Sequence, residues 1–307
     1  MHLSKWPRPK KYIFNKRKTQ FSKKRVEYIE KFFASKYNSK YSILTASARV
    51  GILLTLKFKK FTRSRILEIP KWSSHCLYSS IGSITNMSCE DKNADGSLIV
   101  HHLGNSYSKQ KTKNFLIDDS SDSIPTDKFK PCFNSKLSEV ISLPKIMGSF
   151  CGGIILTNSK VFYNYLKEFQ NINQKFASIQ SMKKYTCLIL DKKNFDWHYN
   201  ESFNYGLDFN TVENVYENLQ NFEKNKNIIL NRKESLLDVK NNYDKYRIGP
   251  CLLLNFNKKF VNLLETIHVN KLASSDKFIF IKKLVLPIHF TISDQILEKK
   301  INEITTV

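Results

Sequence analysis

The sequence predicts an α/β fold, with a mostly parallel sheet flanked by helices in a large domain and a small C-terminal α+β domain after it. Three observations carry that expectation. Short apolar runs of strand length recur through the first half of the chain, separated by stretches long enough for crossover helices. Each of five such runs stops on a side chain capable of chemistry or ligand contact. The chain is also large enough, at 307 residues with 41% hydrophobic and 13% aromatic residues, to bury a substantial core in two domains.

The elements follow in order. Residues 1–20 form a basic arm in which Trp6, Tyr12 and Phe14 interrupt the positive charges. It lacks helical periodicity and is expected to be exposed, poorly ordered and dispensable for catalysis. The large domain spans 21–180 and opens with a helix from Val26 to Ala34. The apolar run from Ser42 to Ala46 stops at Ser47-Ala48-Arg49 and continues as a helix through Leu53, Leu54 and Leu56. The run from Arg65 to Pro70 stops before Trp72, and the run from Ser97 to Val100 stops at His101-His102. Phe115 to Ile117 ends on Asp118-Asp119, while Asn86 to Gly96 reads as a polar loop. Val140 to Leu143 ends before Lys145, which is expected in a short turn; Gly152-Gly153 then turn the chain into Ile154 to Leu156.

Further on, Phe162, Tyr165, Leu166, Phe169, Ile172 and Phe176 recur at helical spacing. The run from Thr186 to Leu190 reads as a short strand or a bend. A connecting helical region spans 181–230; within it Thr211 is expected to cap a helix carrying Val212, Val215, Leu219 and Phe222. The small domain spans 231–307. It is expected to hold a strand from Gly249 to Leu254, a helix from Lys258 to Ile267, a strand from Phe278 to Leu286 and a terminal helix from Ser293.

In open α/β sheets, ligands bind outside the carboxyl ends of the parallel strands. Five runs ending on Ser, Trp, His, Asp and Lys therefore point to one site. A lysine at a strand end among apolar residues can lose its proton and attack a carbonyl, which singles out Lys145. An ordinary surface lysine is the competing reading.

At these residues the chain resembles the nucleotide-sugar aminotransferase family of the DegT/DnrJ/StrS type, enzymes of the PLP-dependent transferase fold type I. The resemblance runs from about Phe21 to the C-terminus. Its motifs are the entry helix, the turn at Ser47-Ala48-Arg49, Val100-His101 followed by Gly104, Ile117-Asp118-Asp119, the lysine segment with Gly152-Gly153, Arg232, and Leu286-Pro287-Ile288-His289. It implies pyridoxal 5'-phosphate (PLP) as cofactor and Lys145 as both the Schiff-base residue and the proton shuttle. A carboxylate must keep the pyridine nitrogen protonated; Asp119 is the candidate, and Asp118 the alternative, since a one-residue shift swaps strand faces. The phosphate needs a helix N-terminus with hydroxyls or a cation, which Ser47, Ala48 and Arg49 offer, with Ser142 as a further hydroxyl. Trp72 is the candidate to stack on the ring, in competition with His75. His101 falls near cofactor or substrate by family position. The resemblance also implies a homodimer whose partner completes each site, with Asn204 the candidate donated residue. The expected reaction moves an amino group, from glutamate, to a nucleotide-linked keto-sugar for surface polysaccharide or amino-sugar biosynthesis.

The chain departs from the family in four places. Asp122 stands where relatives carry Gln or His near the cofactor's phenolic oxygen, and an unpaired second carboxylate there is unfavourable. Cys151 replaces an acidic residue before the paired glycines, and the chain is trimmed between Ile84 and Leu98 and between Gly104 and Asn114. A catalytically decayed scaffold of the same fold is therefore the alternative reading.

Six scattered cysteines, without a paired spacing or a histidine partner, point to reduced thiols in a cytoplasm and to no metal site. No apolar stretch reaches the roughly 20 residues of a membrane span. The net charge of +23 is concentrated at Lys5 to Lys24 and Lys57 to Arg65. It leaves a basic nucleic-acid-binding protein as the least favoured alternative, because no recognition motif accompanies the charge.

Overall fold

A computed structural model of the chain describes all residues except 1–3, 19, 71, 90–92, 105–114, 127–136, 191–204, 237–246, 255–264, 273–277 and 306–307. Ser22 caps α1 (Lys23–Lys36) by accepting the Arg25 amide, and the chain enters β1 (Tyr41–Thr45) and α2 (Ala48–Phe58). Then come β2 (Ile66–Glu68), β3 (Trp72–Ser73), α3 (His75–Gly82), β4 (Asn86–Ser88), β5 (Gly96–Val100), β6 (Phe115–Asp119) and β7 (Ile124–Pro125). The lysine segment forms β8 (Ser138–Ser142), α4 (Leu143–Met147) and β9 (Gly153–Thr157). Helices α5 (Lys160–Lys167), α6 (Gln174–Ile189), α7 (Phe209–Leu219) and α8 (Phe222–Ser235) follow. The chain closes with β10 (Arg247–Ile248), β11 (Cys251–Leu254), β12 (Glu265–Leu272), β13 (Phe278–Pro287) and α9 (Asp294–Thr305).

The main sheet has seven strands in the order β1-β9-β8-β6-β5-β2-β4. Strands β8, β6, β5, β2 and β4 run parallel. Strand β9 is antiparallel to both β8 and β1, so the two reversals bring β1 back into the common direction. The carboxyl ends of β1, β2, β5, β6 and β8 consequently share one edge, as the sequence predicts. Strands buried on both faces read as continuous apolar runs. Here alternate residues divide between two cores: Leu44, Ile141, Ile154 and Leu156 pack with α1, α7 and α8, whereas Ile43, Val140 and Ile155 pack with α2 and α5.

A four-stranded antiparallel sheet, β11-β13-β12-β3, forms the smaller unit, and β7 pairs with β10 separately. Several expectations need correction. Lys145 lies in the short helix α4 rather than a turn, because Pro144 at the first helical turn favours helix initiation. The stretch read as a polar loop contributes β4, an edge strand paired with β2. Residues 186–189 continue helix α6, with the Leu190 amide donating to the Thr186 carbonyl at 3.0 Å. Asp208, not Thr211, caps α7, accepting the Asn210 amide at 3.0 Å. Residues 265–267 begin strand β12 rather than ending a helix, because they pair with β13.

The basic arm differs most from expectation. Within residues 4–18 the aromatic residues and the buried Pro7 lie against the body of the chain, while most of the cations stay exposed. Tyr12 and Phe14 stack on the fully buried Phe150, with ring centroids 5.3 and 5.1 Å away, and both meet Tyr185. The Tyr12 amide donates to the Tyr185 hydroxyl (2.6 Å), and the Asn15 amide to Asn210 (2.8 Å). The aromatic residues spaced among the lysines are anchors for the arm.

Candidate active site

At the shared carboxyl edge of the sheet lies a cavity open to solvent. Eight of the ten candidate site residues line it. Ser47, Ala48 and Arg49 stand at the start of α2, Ser142 and Lys145 at the end of β8 and in α4, and Asp119 at the end of β6. His101, His102 and Asp122 line the cavity as well.

The α2 end is built for close approach of backbone groups. Ser47 caps the helix, its Oγ accepting the Val50 amide at 3.3 Å, and Ser47 pairs with Gly152 in a parallel bridge. A Cβ added to Gly153 would lie 2.4 Å from the Ala48 amide nitrogen and the Ser47 carbonyl carbon. Gly152 itself has φ +103°, which L side chains rarely adopt. The paired glycines thus let β9 press against the turn and hold it in place. The first-turn amides and the Ser47 and Ser142 hydroxyls form an anion-binding set of the kind phosphates take.

The two aspartates of β6 face opposite ways, as strand geometry requires. Asp118 is fully buried and its Oδ1 lies 2.8 Å from His101 Nε2, also fully buried. Asp119 lines the cavity; its Oδ1 accepts the Ser121 amide at 3.0 Å. Burial raises the Asp119 carboxyl above its ordinary value, and the Ser121 hydrogen bonds and the Lys145 charge only partly offset this. A cationic group arriving in the cavity would stabilise its ionised form.

Lys145 Nζ forms an ion pair with Asp122, and its side chain is 27% exposed. Burial alone would lower the ammonium, but the Asp122 carboxylate, with Cys76 and Asp119 beyond it, outweighs burial and raises it. Trp6 of the arm lies beneath the amine, its ring centroid 4.8 Å from Nζ.

His101, which lines the cavity, has its Nε2 committed to Asp118. Trp72 lies in β3 of the smaller sheet, where its backbone pairs with Lys271. The side chains of Trp72 and His75, and all of Asn204, lie outside the described residues. Arg232 donates to the Ile288, His289 and Ile292 carbonyls and to Asp294, pinning the turn between β13 and α9. Sequence reasoning missed Ser74, Cys76, Ser121 and Lys184 in the lining. The hydroxyl run at Ser73-Ser74 was a signal for the first two, whereas Lys184 on α6 is brought in by helix packing alone.

The donor set suits PLP: a lysine amine for its aldehyde, a buried carboxylate seeking a cation for its ring nitrogen, and a serine-capped helix N-terminus for its phosphate. Asp122 is the one residue at odds with a neutral contact, and its charge is paired with Lys145. Among the described residues no cluster suits a metal ion, and no helix is long and apolar enough to cross a membrane.

A protein-family model described as "Putative PLP-dependent aminotransferase" matches residues 29–306. Solved structures share the fold. Helicobacter pylori PseC, described as an aminotransferase involved in the biosynthesis of pseudoaminic acid, is 14% identical with a TM-score of 0.63, and 100% of this chain and 99% of that one are covered. The aminotransferase TlmJ from Streptoalloteichus hindustanus is 12% identical with a TM-score of 0.63, covering 92% and 90%. A DegT DnrJ EryC1 StrS aminotransferase from Brucella abortus is 13% identical with a TM-score of 0.60, covering 92% and 90%. No curated protein matches the sequence. The chain belongs to the PLP-dependent aminotransferase family whose model it matches, and its cofactor is pyridoxal phosphate.

Proposed function

We propose, from that family membership as premise, that the chain transfers an amino group to a keto-sugar, with Lys145 and Asp119 as its catalytic residues. The observation that carries the assignment is the convergence of Lys145, Asp119 and the Ser47–Arg49 turn on one cavity at the sheet's carboxyl edge. Bound PLP supplies an electron sink for the negative charge left at a substrate carbon when its proton is removed. Asp119 holds the proton on the ring nitrogen that makes this sink effective. Lys145 Nζ would hold the cofactor, and as a free amine it would take and return the proton at the substrate carbon. Ser47, Ala48, Arg49 and Ser142 would bind the phosphate, and Trp72 is the candidate to stack on the ring.

The acceptor class is a sugar, by extension from PseC, which is described as working in pseudoaminic acid biosynthesis. A nucleotide-linked keto-sugar, with glutamate as donor, fits the basic surface that would draw in a diphosphate. His101 and Asn204 are the candidate substrate contacts. A homodimer accords with the exposed apolar side chains of α6, where Ile179, Leu188 and Ile189 are 41–47% exposed.

The test is chemical. PLP added to the protein, followed by borohydride reduction and peptide mapping, should place the pyridoxyl group on Lys145. Labelling of a different lysine would sink the assignment.

A further inference from the structure

We propose that Trp6 is a positioning residue for Lys145, carried on an N-terminal strap whose anchor lies in the C-terminal unit. The inference rests on reading Lys145 as the cofactor lysine, and it concerns how the amine is held before it reacts.

The contacts at the two ends of residues 4–8 carry the argument. At the site, the Trp6 ring centroid lies 4.8 Å from Lys145 Nζ, on the face of the ring, where the π quadrupole attracts a cation. Pro7 is buried beside the end of α4: a Cβ added to Gly148, the αL residue that closes the helix, would lie 3.3 Å from Pro7 Cβ and 3.4 Å from the Arg8 carbonyl. The strap therefore runs against the helix that carries the lysine. On its other side Trp6 packs on Leu103, Cys251 and Val285.

At the far end, the His289 ring Nε2 donates to the Ser4 carbonyl at 2.8 Å, and its Nδ1 accepts from Thr291 Oγ1 at 2.9 Å. Burial lowers the His289 imidazole to about 4, so the ring stays neutral and this single tautomer persists. Cys251 Sγ donates to the Lys5 carbonyl at 2.7 Å. Arg232 in turn grips the His289 carbonyl at 2.7 Å. The strap is thus tied to the turn after β13 at one end and to the lysine helix at the other.

The consequence follows from the charges. The groups facing the Lys145 amine are Asp122, Asp119, Cys76 and the Trp6 ring. Asp122 and Trp6 both favour the ammonium, and an ammonium is not a nucleophile. Withdrawal of the indole, by a shift of the C-terminal turn that anchors the strap, weakens this hold and frees the amine. Trp6 couples the position of the C-terminal unit to the readiness of the lysine.

The experiment uses the full chain without added PLP. Each lysine is methylated with formaldehyde and cyanoborohydride from pH 6 to 10, and its extent of modification is read by peptide mass spectrometry. Trp6→Leu, which keeps an apolar contact but removes the ring face, should raise Lys145 methylation at neutral pH about three- to ten-fold, the range of a partly exposed cation–π contact. Trp6→Phe should restore the wild-type rate to within about two-fold. His289→Ala, which leaves Trp6 in the sequence but cuts its anchor, should move Lys145 in the same direction as Trp6→Leu. Other lysines serve as the control for folding. An unchanged or slower Lys145 in Trp6→Leu, with other lysines as in wild type, overturns the proposal. If Trp6→Leu does not fold, an unchanged Lys145 in His289→Ala decides against it. Pyridoxyl labelling at another lysine would defeat the assignment of Lys145 to the cofactor, yet leave the methylation difference standing.

Discussion

Asp119→Asn should stabilise the cofactor-free protein while disabling amino transfer. Asp119 is only 7% exposed; it accepts hydrogen bonds from Ser121 and feels the more distant charge of Lys145. A buried charge without full compensation costs about 1–3 kcal/mol, and asparagine keeps an oxygen to accept the Ser121 amide. The variant should therefore gain about that much, or roughly 2 °C of melting temperature per kcal/mol for a chain of this size. The sign of the pH dependence is fixed by the raised carboxyl. Its folded value lies above the ordinary 3.8, so the wild type loses stability as pH rises from there through the folded value. The gap between variant and wild type should be absent below about pH 4 and open as pH rises through that window. Melting curves from pH 4 to 8 read it directly. With PLP added, the wild type should gain more than the variant, because the ring nitrogen offsets the Asp119 charge, and the variant's turnover should fall by orders of magnitude. A variant less stable than wild type at pH 7, or a gap independent of pH, would refute the idea that Asp119 is a carboxylate waiting for a cation. If Asp118→Asn is the change that abolishes turnover and Asp119→Asn is mild, the ring carboxylate is the other one.

Lys145→Ala should lose all borohydride-fixed pyridoxyl while melting within a few degrees of wild type, since the side chain is partly exposed and outside the two cores; peptide mapping and a melting curve check both halves. Gly153→Ala should weaken PLP binding at least ten-fold, because its Cβ would strike the Ala48 amide at 2.4 Å and displace the phosphate turn; a fluorescence titration with PLP measures it. Tyr12→Ala should destabilise the chain by about 2–4 kcal/mol through loss of the ring packed on Phe150 and Tyr185. Urea denaturation tests this, and a change below about 0.5 kcal/mol would return the arm to the exposed, dispensable segment its composition suggests.

The sheet edge was legible in the sequence because buried parallel strands are short apolar runs, and the side chain at each carboxyl end is the first polar residue after the run. Lys145, Ser47 and the Asp118-Asp119 pair all announce themselves in this way. The choice between Asp118 and Asp119 was not legible, because it depends on which face of β6 meets the cavity. That face is set by the neighbours: Asp118 turns to His101, the residue just after the adjacent β5. Contacts made across the fold left weaker traces. The wall contributed by Lys184 depends on the rotation of α6, a helix with little difference between its faces, so no apolar stripe fixed it. Strand β12 depends on pairing with β13 rather than on its own composition.

The arm shows why composition alone misleads at a chain terminus. A high density of lysine and arginine predicts an exposed segment, since charge resists burial. Yet burial is decided residue by residue. Pro7, Tyr12 and Phe14 make the inward contacts, and the intervening cations stay near solvent where their charge costs little. The same spacing brings Trp6 to Lys145. The arm's positive charge and its contribution to the site are therefore separable. Neutralising exposed Lys10 and Arg17 should leave Lys145 methylation unchanged, whereas replacing Trp6 should not. If surface charge alone tuned the lysine, the double substitution Lys10→Gln and Arg17→Gln would shift its reactivity as much as Trp6→Leu, and added salt would reproduce the effect. A contact on the ring face, partly shielded from solvent, predicts little response to either.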